Sequence, residues 1–431
     1  MRRETSPARA GWRATVEAQG LAYAVARDDD HDDDSHDDGD RGDGGSGDGG
    51  SERLYWDESA AYVLDTQEAG ELERVSEELH EMSLTAARRV LTDDRLWASL
   101  GLPAHARPTL RRSLDAAPDA GPAGGSLYGR LDLAFDGSGP PLLLEYNADT
   151  PTALVEASVV QWYWLEDLHP DCDQVNTLHE RLVAAWQQML PEHAGGLVHL
   201  AAGQSEPTED WVTVAYLRDT VREAGFIDVG LRMEELGWWQ EGGRFVDLQN
   251  RPVDVCYRLY PWDWMFAERF GPLLDHPSAA VRWVEPPWKV LLASKTLLVA
   301  LWEEFEGHPN LLPAWLEEPR PGSAEARRGY VSKPVHGWEG AGVRISAPGI
   351  DVRSDPAHTA GQTLVHQAFT ELPDLQGNYP VIGSWLIAGE SAGLGFREST
   401  SLITDTAARF VPHRLDAPRS TPEQVQTWLS G

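Results

Sequence analysis

The chain has 431 residues, 41% of them apolar, more sequence than one core usually serves, which predicts two or three packed lobes. Its formal net charge of −33 excludes a non-specific nucleic-acid partner, because such binding depends on Lys and Arg neutralising phosphates. Two cysteines, Cys172 and Cys256, exclude a disulfide framework, and no apolar run nears the roughly 20 residues of a membrane span, so a cytoplasmic protein without a membrane partner is expected.

Part of the charge is local. Residues 28–50 hold eleven Asp and one Arg, with no apolar residue to offset the entropy of ordering them. They read as a disordered insert within an N-terminal segment 1–53, although His31 and His36 among the aspartates could hold a weak cation. Met1-Arg2-Arg3 has no apolar stretch behind it and does not read as a signal peptide.

Residues 54–195 form the next unit. From Glu68 to Leu91 the pattern is helical, with Leu72, Val75, Leu79 and Met82 on one face. Ala116–Gly125 is loop. Leu127–Phe135 alternates as a strand, Gly137-Ser138-Gly139-Pro140 is a turn, and Leu142–Asn147 is a second strand, so a hairpin is expected. A helix-like stretch, Thr152–Trp164, follows.

Residues 196–290 alternate strand and helix. Strands at Leu197–Leu200 and Val253–Tyr257 flank a helix at Trp211–Ala224, which predicts a small α/β lobe with a parallel sheet. In residues 291–431, Ser294 is placed to cap a helix Lys295–Phe305. Val331–Pro334 reads as a strand leading into Gly337, Gly340 and Gly342, with further strands at Leu364–Phe369 and Val381–Ile387.

Four constellations carry chemistry. Period-2 geometry puts Arg130 and Asp132 on one side of their strand, and Glu145 with Asn147 on one side of theirs. Two carboxylates and a carboxamide suit Mg²⁺, which completes its octahedron with phosphate oxygens and water. An adjacent Arg could stabilise a transferring phosphoryl group; the alternative is an exposed hairpin carrying an Arg–carboxylate pair. Second, Lys333 ends a strand before a glycine-spaced loop that can lay backbone N–H groups on phosphates, or be a plain hairpin. Third, Lys295 stands at a helix start, where a cation is unfavourable beside the dipole unless a phosphate is bound; the alternative, a plain surface lysine, fits the residue alone better. Fourth, Arg397 could grip a phosphate or carboxylate bidentately, or form a surface ion pair. The aromatic run Tyr257–Trp264 is more readily core than pocket wall.

In their order along the chain, these pieces resemble the synthetase part of the glutathionylspermidine synthase family, an ATP-grasp family. The matching segments are Tyr128-Gly129-Arg130-Leu131-Asp132, Glu145–Thr152, Tyr257–Trp264, Lys295, Lys333-Pro334 and the Arg397 segment, across roughly residues 54–415. The resemblance implies an α/β (α+β) ATP-grasp-like synthetase fold in permuted order, with the metal hairpin ahead of the nucleotide lysines. It implies ATP and two Mg²⁺ ions as cofactors. Asp132 and Glu145 would hold one ion, Glu145 and Asn147 the other, and Arg130 would stabilise the transition state. Lys295 and Lys333 would contact ATP phosphates under a loop containing Gly340. Gln367, Ala368, Phe369 and Leu402 would border the adenine, and Arg397 would lie at the acyl-phosphate end. Thr150 and Thr152 stand where the family binds glutathione through serines. Glu209 and Asp210 stand where it has acids for the polyamine, although acids at a helix start also complement the dipole. Leu259 replaces a Thr of the glutathione-binding members, and the amidase domain of bifunctional members is not expected.

The expected function is therefore ATP- and Mg²⁺-dependent ligation of a small carboxylic acid to a cationic amine through an acyl phosphate. The alternatives are a kinase-like phosphotransferase and a non-catalytic nucleotide-binding protein.

Overall fold

A computed structural model of the protein describes residues 1–21, 25–26, 53–119, 122–190, 193, 195–203, 209–274, 276, 281–356 and 359–419. The acidic insert at 28–50, with His31 and His36, lies outside the described residues.

The expected hairpin forms. Tyr128–Ala134 pairs antiparallel with Leu142–Asn147, and the register sets Asp132 opposite Glu145 and Arg130 opposite Asn147, with a shift after Asp132. Two later strands, Tyr379–Ile387 and Glu390–Ser399, extend the sheet on the Tyr128–Ala134 side, and Arg409–Val411 closes its edge. One antiparallel sheet of five strands is thus assembled from two distant stretches of chain. Leu131, Leu133, Leu143 and Tyr146 are buried in one core with Leu72, Val75 and Leu79 of the long helix Thr66–Thr92. That helix starts where it does because Asp65 and Glu68 form a reciprocal capping box. Its polar groups are matched inside the core: His80 Nδ1 meets Tyr146 Oη at 2.8 Å, and Ser76 Oγ meets Ser384 Oγ at 2.7 Å.

A second antiparallel sheet has the order Ala314–Trp315, Leu364–Ala368, Tyr330–Pro334, Arg344–Ala347, Ile350–Arg353. The glycine loop joins its central strand, which ends at Lys333-Pro334, to the next. The third sheet is parallel throughout, in the order Arg282–Val284, Val255–Leu259, Leu197–Ala202, Ile227–Arg232. Helix Glu209–Glu223 supplies the crossover between its last two strands, as short alternating apolar runs predicted. A small sheet of Arg2–Thr5, Ala60–Leu64 and His413–Leu415 ties the two ends of the described chain together. Among the described residues, no helix is long and apolar enough to cross a membrane.

Two local expectations are corrected. Ser294 is not a helix cap: a short helix Val290–Ala293 precedes it, Lys295 takes the N-cap position of helix Thr296–Glu304, and the Ser294 hydroxyl is buried without a partner. The helical stretch after Thr152 is in part wide, a π-turn at Glu156–Val160 running into helix Gln161–Leu168. Of the two readings of Arg397, the surface ion pair does not form among the described residues: the residue lies inside the strand Glu390–Ser399, its Nη2 donating to Asp405 O at 3.3 Å while its Nε is buried without a partner.

Candidate active site

A cavity of about 1250 Å³ collects all sixteen residues singled out from the sequence. Asp132, Arg130, Glu145 and Asn147 reach it from the hairpin. Lys333, Gln367 and Ala368 come from the second sheet, with Phe369 just beyond its strand. Lys295 comes from a helix start, Gly340 from the glycine loop, Arg397 from the hairpin's sheet, and Leu402 from the turn after it. Thr150 and Thr152 lie on the segment leaving the hairpin, and Glu209 and Asp210 open the parallel-sheet crossover helix.

The charges are arranged in pairs. Arg130 grips Asp132 with Nε at 2.7 Å and Nη2 at 3.1 Å, and both are buried. Its Nη1 donates to Thr152 O at 2.7 Å. The guanidinium lies 5.6 Å from the centre of the Trp385 ring, a position open to it because a Cβ at Gly383 would stand 2.8 Å from Arg130 Cδ. Asn147 Nδ2 donates to Asp132 Oδ2 at 3.0 Å and to Glu145 Oε1 at 3.1 Å. Lys295 Nζ stands 3.1 Å from Glu145 Oε2 and donates to Gly337 O at 2.6 Å. The unfavourable cation at a helix start is thus met by a carboxylate. Lys333 Nζ donates to Leu144 O at 2.9 Å and to Gln367 Oε1 at 2.8 Å.

Burial alone would raise the Glu145 carboxyl, but the ammonium groups of Lys295 and Lys333 outweigh it and hold it at about 2. Asp132 moves up, because burial and the neighbouring Glu145 exceed the pull of Arg130. Burial, reinforced by Lys295, pushes Lys333 down to about 8. Asp210 is pushed up to about 6 by burial and by Glu209 and Glu339.

The donor set fits Mg²⁺. Among the described residues no group of three or more His, Cys, Asp or Glu is set to hold a metal ion, so there is no dedicated protein cage. Two carboxylates and one carboxamide are what Mg²⁺ uses when phosphates and water fill the remaining positions. A cation here would call on Asn147 Oδ1, so the amide would turn from its present donation to the two acids.

Gly340 is required twice. Its φ is +70°, and a Cβ there would stand 2.8 Å from both Ile403 Cγ2 and Thr404 O, so the loop closes onto the turn carrying Leu402 only with glycine.

One feature went unassigned in the sequence. Arg258, fully buried, pairs with Asp149, donates to Tyr260 O at 2.6 Å and lies 4.4 Å from the centre of the Trp262 ring. Asp149 Oδ2 also accepts from Trp262 N at 2.9 Å. With Tyr128 Oη donating to Pro151 O at 3.2 Å, these bonds make 149–152 a strap fastened to the hairpin's sheet on one side and the parallel sheet on the other. Both partners sit in segments already singled out, but the pairing spans 109 positions and no local spacing signals it. The aromatic run divides: Tyr257 and Trp262 are core, whereas Tyr260 and Trp264 line the cavity, with Trp264 edge-on to Trp338 of the glycine loop at 5.7 Å.

Against known proteins, the family described as glutathionylspermidine synthase preATP-grasp matches residues 3–416. A protein of Haemophilus influenzae, named provisionally as an acid–amine ligase, is 34% identical over 375 residues, covering 83% of this chain and 90% of that one. The bifunctional glutathionylspermidine synthetase/amidase of Escherichia coli is 26% identical over 367 residues, 79% of this chain but only 57% of that longer protein. Among solved structures, a glutathione synthetase-like effector from Globodera pallida superposes with a TM-score of 0.52 at 10% identity, covering 94% of this chain and 96% of that one. That likeness is one of fold.

Proposed function

The chain belongs to the glutathionylspermidine synthase preATP-grasp family and is an ATP-grasp ligase, and from that premise we propose that it joins a carboxylic acid to a cationic amine through an acyl phosphate. One observation carries the reading: the carboxylate hairpin, the two lysines with their glycine loop, and the acid pair Glu209-Asp210 all open into a single cavity.

ATP would lie between the two antiparallel sheets, its adenine against Gln367, Ala368, Phe369 and Leu402 and its phosphates against Lys295, Lys333 and the loop at Gly340. Asp132, Glu145 and Asn147 would hold two Mg²⁺ ions, which when bound neutralise phosphate charge. The acid would rest on the strap at Thr150 and Thr152. One carboxylate oxygen of the acid attacks the γ-phosphorus, ADP leaves, and Arg130 stabilises the charge on the phosphoryl group in flight. The amine nitrogen then attacks the acyl carbon, phosphate departs with the C–O electron pair, and the nitrogen gives up a proton. Gly340 packed on Ile403 and Thr404, and Trp338 on Trp264, support exclusion of water from the mixed anhydride. Leu259, buried in the cavity wall, offers no hydroxyl to the acid, so the acid is left as a class and not equated with glutathione.

The test is an ADP-release screen of acids crossed with amines, followed by product analysis. An amide with free phosphate supports ligation. A stable phosphorylated acid, with no amide from any amine, would replace it with phosphotransfer.

Asp210 makes the amine site titrate. A cationic amine favours the carboxylate form, and burial, Glu209 and Glu339 set that group at about 6. As pH falls through this value Asp210 takes up a proton and the amine KM should rise, towards about tenfold per pH unit at the limit. Asp210→Asn should raise KM at all pH values and flatten this limb. Glu209→Lys should raise it strongly and reduce its salt dependence. A KM that stays constant through pH 6 in the wild-type chain would remove Asp210 from the amine site.

A further inference from the structure

Every oxygen of the two hairpin carboxylates already has a donor from the chain itself. Asp132 Oδ1 accepts from Arg130 Nε at 2.7 Å, and Oδ2 from Arg130 Nη2 at 3.1 Å and Asn147 Nδ2 at 3.0 Å. Glu145 Oε1 accepts from Asn147 Nδ2 at 3.1 Å, and Oε2 faces Lys295 Nζ at 3.1 Å. A divalent cation uses the same oxygens, so these donors and the metal compete.

The donors are not equivalent. Arg130 and Asn147 belong to the hairpin, where they are held as cross-strand neighbours. Lys295 comes from a different part of the chain, and its Nζ spans from Glu145 to the carbonyl of Gly337 in the glycine loop. Both groups sit largely out of water, with the Lys295 side chain 7% exposed and that of Glu145 27%, so their attraction is only weakly screened. A phosphate seated at the glycine loop would offer this ammonium a more highly charged partner than a carboxylate.

We propose that Lys295 keeps metal off the hairpin by holding Glu145 in an ion pair, which nucleotide phosphate opens by drawing the ammonium away. The proposal rests on the metal and nucleotide reading above and adds an order to it: metal is taken up with the nucleotide and not ahead of it. Coupling of this kind is reciprocal, so nucleotide tightens metal by the same factor by which metal tightens nucleotide. It also gives Lys295 two opposed effects, favouring the nucleotide and disfavouring the metal.

The experiment measures Mn²⁺ binding to the full chain by the electron paramagnetic resonance of the free ion, with and without a non-hydrolysable ATP analogue. The wild-type chain should bind Mn²⁺ weakly alone and about tenfold or more tightly with the analogue. Lys295→Met should bind Mn²⁺ alone about tenfold more tightly than wild type, while binding the analogue less well. Loss of a merely structural lysine does not move two affinities in opposite directions. Lys295→Arg should still exclude the metal. Lys333→Met removes a neighbouring ammonium that bonds Leu144 O and Gln367 Oε1 instead of the acid, and should give a clearly smaller gain. If Lys295→Met fails to fold by circular dichroism, Lys295→Gln carries the same test. The lock is overturned if the Lys295 variant binds Mn²⁺ no better than wild type without the analogue, or if Lys333→Met matches its gain. If wild type takes no Mn²⁺ even with the analogue bound, the metal reading itself falls, and the lock with it.

Discussion

Arg130→Met should lower kcat/KM for ligation by on the order of 10³-fold or more, the scale at which an arginine acting on a transferring phosphoryl group contributes. Two jobs are lost together. The guanidinium no longer meets the phosphoryl group, and the strap loses its bond from Arg130 Nη1 to Thr152 O. Arg130→Lys should recover little, because an ammonium cannot reproduce two parallel bonds to Asp132 and a third to the strap. ATP affinity should fall far less, since the proposed nucleotide contacts are Lys295 and Lys333. The measurement is amide formation and ATP binding on the same preparation. Ligation within tenfold of wild type would remove Arg130 from the chemistry.

Lys333→Met should weaken ATP by roughly 10- to 150-fold, the range for losing a charge-assisted hydrogen bond worth about 1.5–3 kcal/mol. The fold should not suffer. Burial and the adjacent Lys295 hold this ammonium at about 8, well below its ordinary value, so the folded state carries the charge at a cost. Between pH 8 and the ordinary lysine range the unfolded chain binds more protons at this site than the folded one. This site's contribution to stability therefore rises with pH across that window, and the Met variant should lose the rise. Its melting temperature at pH 7 should match or exceed that of wild type. ATP affinity unchanged by calorimetry would reject the phosphate contact.

Much of the fold was legible because local periodicity dictated it. The helix expected over 68–91 spans Thr66–Thr92, and the hairpin strands fall where alternation and the glycine turn placed them. The parallel lobe followed from short apolar strands separated by an amphipathic helix. Part of the candidate site was legible by type: hard oxygen ligands at period two, a lysine before spaced glycines, a lysine against a helix dipole; Gln367, Ala368, Phe369, Leu402, Thr150, Thr152, Glu209 and Asp210 came only from the family resemblance. What could not be read is pairing between distant segments. Nothing near Tyr128 announces that its sheet continues through Tyr379–Ile387, the junction that brings Arg397 into the cavity. Ser294 had the chemistry of a cap, but a helix ending at Ala293 leaves it inside the core. Lys295 at a helix start reads as a conflict that a phosphate would resolve; in the structure Glu145, 150 positions earlier, resolves it.

The strap at 149–152 has a consequence for how such enzymes diversify. Its anchors are the same groups that build the reacting centre and the interior of the neighbouring sheet: Arg130, Tyr128, and Arg258 with Trp262. If the strap holds the acid as proposed, a lineage adopting a new acid must reshape a surface whose mooring it cannot release. Among the described residues the start of the crossover helix at Glu209-Asp210 carries none of these anchoring bonds, although Asp210 feels Glu339 of the glycine loop. On the proposed assignment of 209–210 to the amine and 149–152 to the acid, amine choice is freer to drift than acid choice, and related ligases should share an acid more often than an amine. Randomising 209–210 should leave acid-dependent ATP turnover in most variants, whereas randomising 149–152 should extinguish it in most.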